Sequence, residues 1–256
     1  MAKFRVPSLT TEQMREVDRL MIEEYGIVLL QMMENAGRNL ARLAAKLTGG
    51  ASGRSLLVLA GKGNNGGGGM VAGRHLSNMG SRVRVLLTAP EDELVDVPAH
   101  QASILRAMGV DLLDVESASS DLLRGVFAEA DLIIDAIIGY SLSGAPSGPA
   151  AILIEMANDC GKPIVSLDVP SGVEAGSGQV YEPSIRPVAT LTLALPKTGL
   201  AASEVTERLG ELYLGDLSVP LGLYRRLEVE VEVEPLFAED SVIPLQWTDD
   251  GWMSAG

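Results

Sequence analysis

The sequence predicts an α/β fold built on a parallel sheet, and three observations predict it. Short, wholly apolar runs alternate with longer segments of helical periodicity. The runs are close to continuously apolar, as strands buried on both faces are. Glycine-rich or turn-forming clusters follow several of them, where such sheets receive ligands beyond the carboxyl ends of their strands.

The elements follow in order. Leu9-Thr10-Thr11-Glu12-Gln13-Met14 opens a helix, with Thr10 as cap, Gln13 completing a capping box and Leu9 positioned to staple onto Met14. Met14, Val17, Met21 and Ile22 continue it at helical spacing. A second helix runs from Leu29 to Leu47, with Met32, Met33, Ala36, Leu40, Leu43 and Leu47 on one side. From there strand and helix alternate: strand Ser55 to Ala60, a glycine loop, helix Met70 to Met79, strand Arg82 to Leu87 and helix Pro98 to Met108. Next come strand Asp131 to Ile138, helix Ala150 to Cys160, and strands Pro163 to Leu167 and Val188 to Leu195. No repeat or long linker interrupts the pattern, so one domain over 1–223 is the economical reading, with 224–256 as an acidic extension. The alternating Leu227 to Glu234 run reads as a solvated edge strand.

Composition narrows the function classes. The 256 residues are 46% hydrophobic but only 4% aromatic, so the core is aliphatic. A net charge of −14 repels nucleic acid and anionic lipid, and no basic window offsets it. Neither nucleic acid nor membrane is an expected partner. The N-terminus has no apolar signal region and no run is long enough to span a bilayer, so the expected setting is cytoplasmic. The lone Cys160 excludes an intramolecular disulfide and reads as a buried, inert thiol. His75 and His100 stand apart and read as surface or packing residues.

Four clusters carry the chemistry. Gly61-Lys62-Gly63-Asn64-Asn65-Gly66-Gly67-Gly68-Gly69 joins a strand to a helix, which suits a phosphate cradled on N–H groups and a helix N-terminus; a flexible connection is the plain alternative. Its Gly-x-Gly-x-x-Gly spacing matches the dinucleotide fingerprint, yet the acid that should end the second strand is missing and Glu91 is the first available. Asp135 lies inside an apolar strand, so it meets a cation or a set of donors. Gly139-Tyr140-Ser141-Leu142-Ser143-Gly144-Ala145-Pro146-Ser147-Gly148-Pro149 follows that strand, as an anion-binding loop or an ordinary long turn. Asp168-Val169-Pro170-Ser171-Gly172 ends another strand, where Asp168 serves as general acid or base, or stabilises an Asx turn. Lys197 follows the last of these strands and reads equally as a site residue or an exposed lysine.

In these clusters, together with Thr10 to Met14, Met33-Glu34-Asn35-Ala36-Gly37 and Pro196-Lys197-x-Gly199, the chain resembles the NAD(P)H-hydrate epimerase family, the YjeF N-terminal domain. The match runs over about four-fifths of the chain. It implies a Rossmann-like three-layer α/β/α sandwich with a mainly parallel central sheet, often dimeric. It also implies interconversion of the two epimers of hydrated NADH or NADPH, which carry a hydroxyl at C6 of the nicotinamide ring. By position, Asn65, Asp135 and Ser171 would be potassium ligands. Asn64, Asn65, Gly66, Gly67, Gly68, Gly139, Tyr140, Ser141, Leu142, Ser143, Gly144, Ala145 and Asp168 would contact substrate. Asp168, with Lys197, would be catalytic. One carboxylate among neutral oxygens suits a large monovalent ion better than magnesium.

Two departures stand out. The family loop carries an Asp where this chain has Gly68, and Tyr140-Ser141 replaces a smaller Thr-Gly. A non-catalytic binding module therefore stays open beside the enzyme, as does an NAD-dependent oxidoreductase. The nucleotide-dependent dehydratase domain of bifunctional relatives is not expected here.

Overall fold

The computed structural model describes residues 3–231 and 236–255. Helix α1 (Thr11–Glu23) starts with the capping box read from the sequence: the Thr10 hydroxyl accepts from the Gln13 N–H at 3.1 Å and the Gln13 side chain accepts from the Thr10 N–H at 2.9 Å. Helix α2 (Leu29–Leu47) follows, then β1 (Ser55–Ala60), α3 (Asn64–Asn78), β2 (Arg82–Leu87), α4 (Asp96–Ala107), β3 (Asp111–Asp114), α5 (Ser120–Glu129) and β4 (Leu132–Ala136). The second half holds α6 (Gly148–Asp159), β5 (Ile164–Leu167), β6 (Ala189–Leu193), α7 (Ser203–Thr206), β7 (Glu211–Gly215), α8 (Leu221–Arg226), β8 (Val242–Thr248) and β9 (Gly251–Ser254).

The strands form one sheet in the order β3-β2-β1-β4-β5-β6-β7-β8-β9. The seven strands from β3 to β7 pair in parallel; β8 and β9 add on antiparallel. Chain direction across the sheet reverses between β1 and β4, and a crevice opens at such a switch point beyond the strand ends. Along β1, Leu56, Val58 and Ala60 face the core under α2, α3 and α4, while Leu57 and Leu59 face α5 and α6. A strand with both faces buried is apolar at most positions. The three layers expected from the sequence are therefore present.

Several sequence expectations change. The helix expected from Met70 begins at Asn64, so Gly66 to Gly69 lie inside α3. None of these four glycines has a positive φ; what they need is closeness. A Cβ on Gly66 would come within 1.8 Å of the Gly61 carbonyl oxygen, and one on Gly69 within 2.4 Å of Ala136 Cβ. Glycine lets α3 settle onto the ends of β1 and β4. The edge strand expected over Leu227 to Glu234 does not form where described: Glu228 sits at φ +57° and residues 229–231 are not strand. Glu232, Val233 and Glu234 lie outside the described residues. Cys160 caps α6 half-buried, its Sγ 3.1 Å from the Ala157 carbonyl oxygen. His75 bonds Glu34 at 2.8 Å across the α2–α3 contact, where Arg74 also meets Glu34, and His100 is exposed on α4. Among the described residues no helix is long and apolar enough to cross a membrane.

Candidate active site

A cleft of about 490 Å³ lies at the switch point. Its walls come from the β1–α3 turn (Gly61 to Asn65), the β4–α6 loop (Ile137 to Ser141), the end of β5 (Leu167, Asp168), and helices α1 and α2.

The strand carrying Asp135 is paired on both sides, so its carboxylate is fully buried. It accepts from the Ser171 hydroxyl at 2.6 Å, the Ser171 N–H at 2.9 Å, the Ser166 hydroxyl at 2.7 Å and the Ile137 N–H at 3.3 Å. Burial pushes this carboxyl up from its ordinary value, and the Ser171 and Ser166 bonds oppose the push. The Ser171 hydroxyl also accepts from the Ile138 N–H at 2.9 Å, which fastens the β5 turn to the β4 loop. Gly172 completes that turn at φ +103°, where a Cβ would fall 2.6 Å from Ser184 Cα.

Asp168 stands just past β5 at φ +70°, a left-handed conformation that Asp tolerates better than most residues. One carboxylate oxygen is paired with the Lys197 ammonium; the other accepts from the Tyr140 N–H at 3.1 Å. Lys197 is fully buried and donates also to the Leu193 carbonyl at 2.9 Å. Its turn is held from outside, because Leu9 bonds the Pro196 carbonyl and Thr198 bonds Leu9. Lys197 is thus buried against Asp168 and not the exposed lysine that the sequence left open.

Asn65 and Asp168 both lie close to Gly139. A Cβ on Gly139 would lie 3.2 Å from Asn65 Oδ1 and 3.3 Å from Asp168 Oδ2, so a side chain there would press on both. Asn65 Nδ2 is buried without a partner. At the head of α3, Gly63 supplies no side-chain cap, and the first intrahelical bond runs from the Gly67 N–H to the Gly63 carbonyl. The preceding amides therefore have no partner within the helix.

The structure brings Asn64, Asn65, Gly139, Tyr140, Ser141 and Asp168 to the cleft, with Asp135, Ser171 and Lys197 behind it. It does not place Gly66, Gly67 or Gly68 on the lining: they are buried in α3, and a Cβ on Gly68 would lie 2.8 Å from Leu167 Cδ2 and 3.7 Å from Met33 Sδ. Leu142, Ser143, Gly144 and Ala145 lie on the loop outside the lining residues. One cleft residue escaped the sequence reading. Asp18, on α1, accepts the Tyr140 hydroxyl at 2.6 Å. The signal was present: with Met14, Val17 and Met21 it completes an i, i+3, i+4, i+7 stripe, which is a core-facing slot for a charge.

Comparison with known proteins shows the family and the fold. The family model described as YjeF-related protein N-terminus matches residues 29–199. An NAD(P)H-hydrate epimerase of Dehalogenimonas lykanthroporepellens is 47% identical over 91% of each chain. A bifunctional NAD(P)H-hydrate repair enzyme of Moorella thermoacetica is 37% identical over 83% of this chain, which spans 40% of that longer relative. The crystal structure of the yeast protein ynu0 superposes with a TM-score of 0.78 at 27% identity, over 94% of this chain and all of that one.

Proposed function

We propose, for a chain that belongs to the family of the YjeF-related protein N-terminus, that it interconverts the two C6 epimers of hydrated NADH or NADPH. One observation carries the reading: the Asp168 carboxylate, held by buried Lys197 and the Tyr140 N–H, lines together with Asn65 a cleft large enough for a nicotinamide ring. Loss and return of the C6 hydroxyl need an acid and a base beside the ring, and Asp168 is positioned to be one of them. The amides at the head of α3 that lack a partner within the helix suit the substrate's phosphates, since a helix N-terminus attracts anions.

Potassium belongs to the same proposal. Asn65, Asp135 and Ser171 would hold the ion, a set with one charge and neutral oxygens. The orphaned end of the Asn65 amide supports the fit, because turning the amide over makes it a buried oxygen free to coordinate. The bound ion would supply fixed positive charge to the site. A homodimer is proposed as well, supported by the exposed apolar side chains Ile22, Tyr25, Val28 and Leu30 around the α1–α2 turn.

The binding-module reading keeps one observation in its favour: hydrocarbon from Leu167 and Met33 occupies the surroundings of Gly68, where the family carries a carboxylate. One experiment separates the two. Epimer-enriched NADHX is mixed with the protein in potassium chloride or in tetramethylammonium chloride at equal ionic strength, and the isomer ratio is followed by chromatography. Re-equilibration faster than without protein, and faster in potassium, is the expected result. Binding with no gain over the protein-free rate selects the module instead.

A further inference from the structure

The proposed reaction moves a proton twice. As the C6 hydroxyl leaves, the N1 lone pair forms the C6–N1 double bond, the C–O pair goes to oxygen, and one proton is taken up to make water. When water returns to C6 on the opposite face, the double-bond pair goes back to N1 and one proton is released. Asp168 alone would have to serve both faces of the ring.

The cleft contains a second carboxylate. Asp18 and Tyr140 both line it, although they are far apart in sequence. The Tyr140 hydroxyl donates to Asp18 Oδ2 at 2.6 Å, while its main-chain N–H donates to Asp168 Oδ2 at 3.1 Å. One residue therefore touches both acids, its backbone on one and its phenol on the other, and the two carboxylates stand a tyrosine side chain apart. Because the phenol's proton is committed to Asp18, its lone pairs remain to accept a proton from a ligand. We propose that the Tyr140 hydroxyl, relayed to Asp18, is the second proton-transfer group of this cleft, acting on the ring face away from Asp168; the proposal rests on the epimerase reading above.

The electrostatics agree. Burial raises the Asp18 carboxyl above its ordinary value, against the opposing pull of the Tyr140 bond and of Lys197, with Asp168 adding to the rise. Burial and the Asp18 charge push the phenol of Tyr140 upward, with Asp168 adding and Arg15 opposing, so it passes a proton on and does not itself ionise. A carboxyl raised in this way is better matched to proton transfer near neutral pH than an ordinary one.

The test begins with the unmodified protein on epimer-enriched NADHX. A rate no faster than that without protein sinks the epimerase reading and this one together. Given turnover, Tyr140→Phe and Asp18→Asn, each checked for an unchanged melting temperature, should lower kcat about ten-fold or more with KM nearly constant. The double substitution should be no slower than the slower single one, because a relay fails as a unit. The fall in kcat at low pH that belongs to Asp18 should vanish in Tyr140→Phe, and Asp18→Glu should restore part of the rate. Should Asp18→Asn fail to fold, the Tyr140→Phe profile decides. A Tyr140→Phe protein with the original kcat and pH profile, or one changed only in KM, overturns the relay.

Discussion

Asp168 and Lys197 form a buried pair on which the cleft depends for more than chemistry. Lys197 is fully buried and Asp168 nearly so, and each is the other's counter-charge. Removing one partner of such a pair leaves an uncompensated charge, at about 3–5 kcal/mol. Lys197→Met should therefore lower unfolding stability in urea by roughly that amount. Asp168→Asn should cost a similar amount through the unpaired ammonium and add no backbone strain, because Asn accepts the left-handed backbone at φ +70°. The double substitution should be more stable than the sum of the singles predicts. Additive losses would show that the pair is not coupled. The two residues were not equally readable in the sequence. Asp168 is announced by the Pro170 and Gly172 turn that fixes it, whereas the burial of Lys197 depends on Leu9 and Asp168, which are joined to it only by the fold.

At the scale of the element, α3 decides the shape of the site. Sequence reasoning made its glycine run a loop because glycine disfavours helix. The competing requirement, close approach of α3 to the ends of β1 and β4, depends on partners that are distant in sequence. This predicts opposite outcomes for neighbouring glycines. A Cβ on Gly67 would meet only Val97 and Pro98 side chains at 3.7 Å, ordinary contact, so Gly67→Ala should hold or raise stability by up to about 1 kcal/mol. Gly66→Ala drives a Cβ into the Gly61 carbonyl at 1.8 Å and should lose about 1–3 kcal/mol or more, along with the cleft's geometry. Chemical denaturation of the two variants reads the difference. Equal behaviour would mean that the run serves flexibility after all. The β-strands were easier to read, because two buried faces impose an unbroken apolar run. The short β3 and β7, half-polar at their ends, did not announce themselves.

Across the whole molecule, the C-terminal segment closes the sheet. The sequence marks everything after about 223 as an appendage because its composition turns acidic. Yet β8 pairs with β7, β9 with β8, and the N-terminal chain then bonds to β9: the Val6 N–H to the Trp252 carbonyl at 2.8 Å and the Ser254 N–H to the Phe4 carbonyl at 2.9 Å. Trp252 packs edge-on against Trp247 with centroids 5.0 Å apart, and Leu245 and Trp252 are buried. The same N-terminal segment continues to Leu9, which holds the Lys197 turn. The sheet's far edge is thus linked through residues 4–9 to the buried ammonium that carries Asp168. Deleting residues 241–256 should leave β7 as a bare edge strand, prone to association. It should lower the melting temperature and, by loosening the Lys197 turn, reduce epimerisation before the protein unfolds. Calorimetry and size-exclusion chromatography beside the chromatographic assay test this. A truncated protein that is monomeric, as stable and as active would show that the two strands decorate the sheet without supporting the cleft.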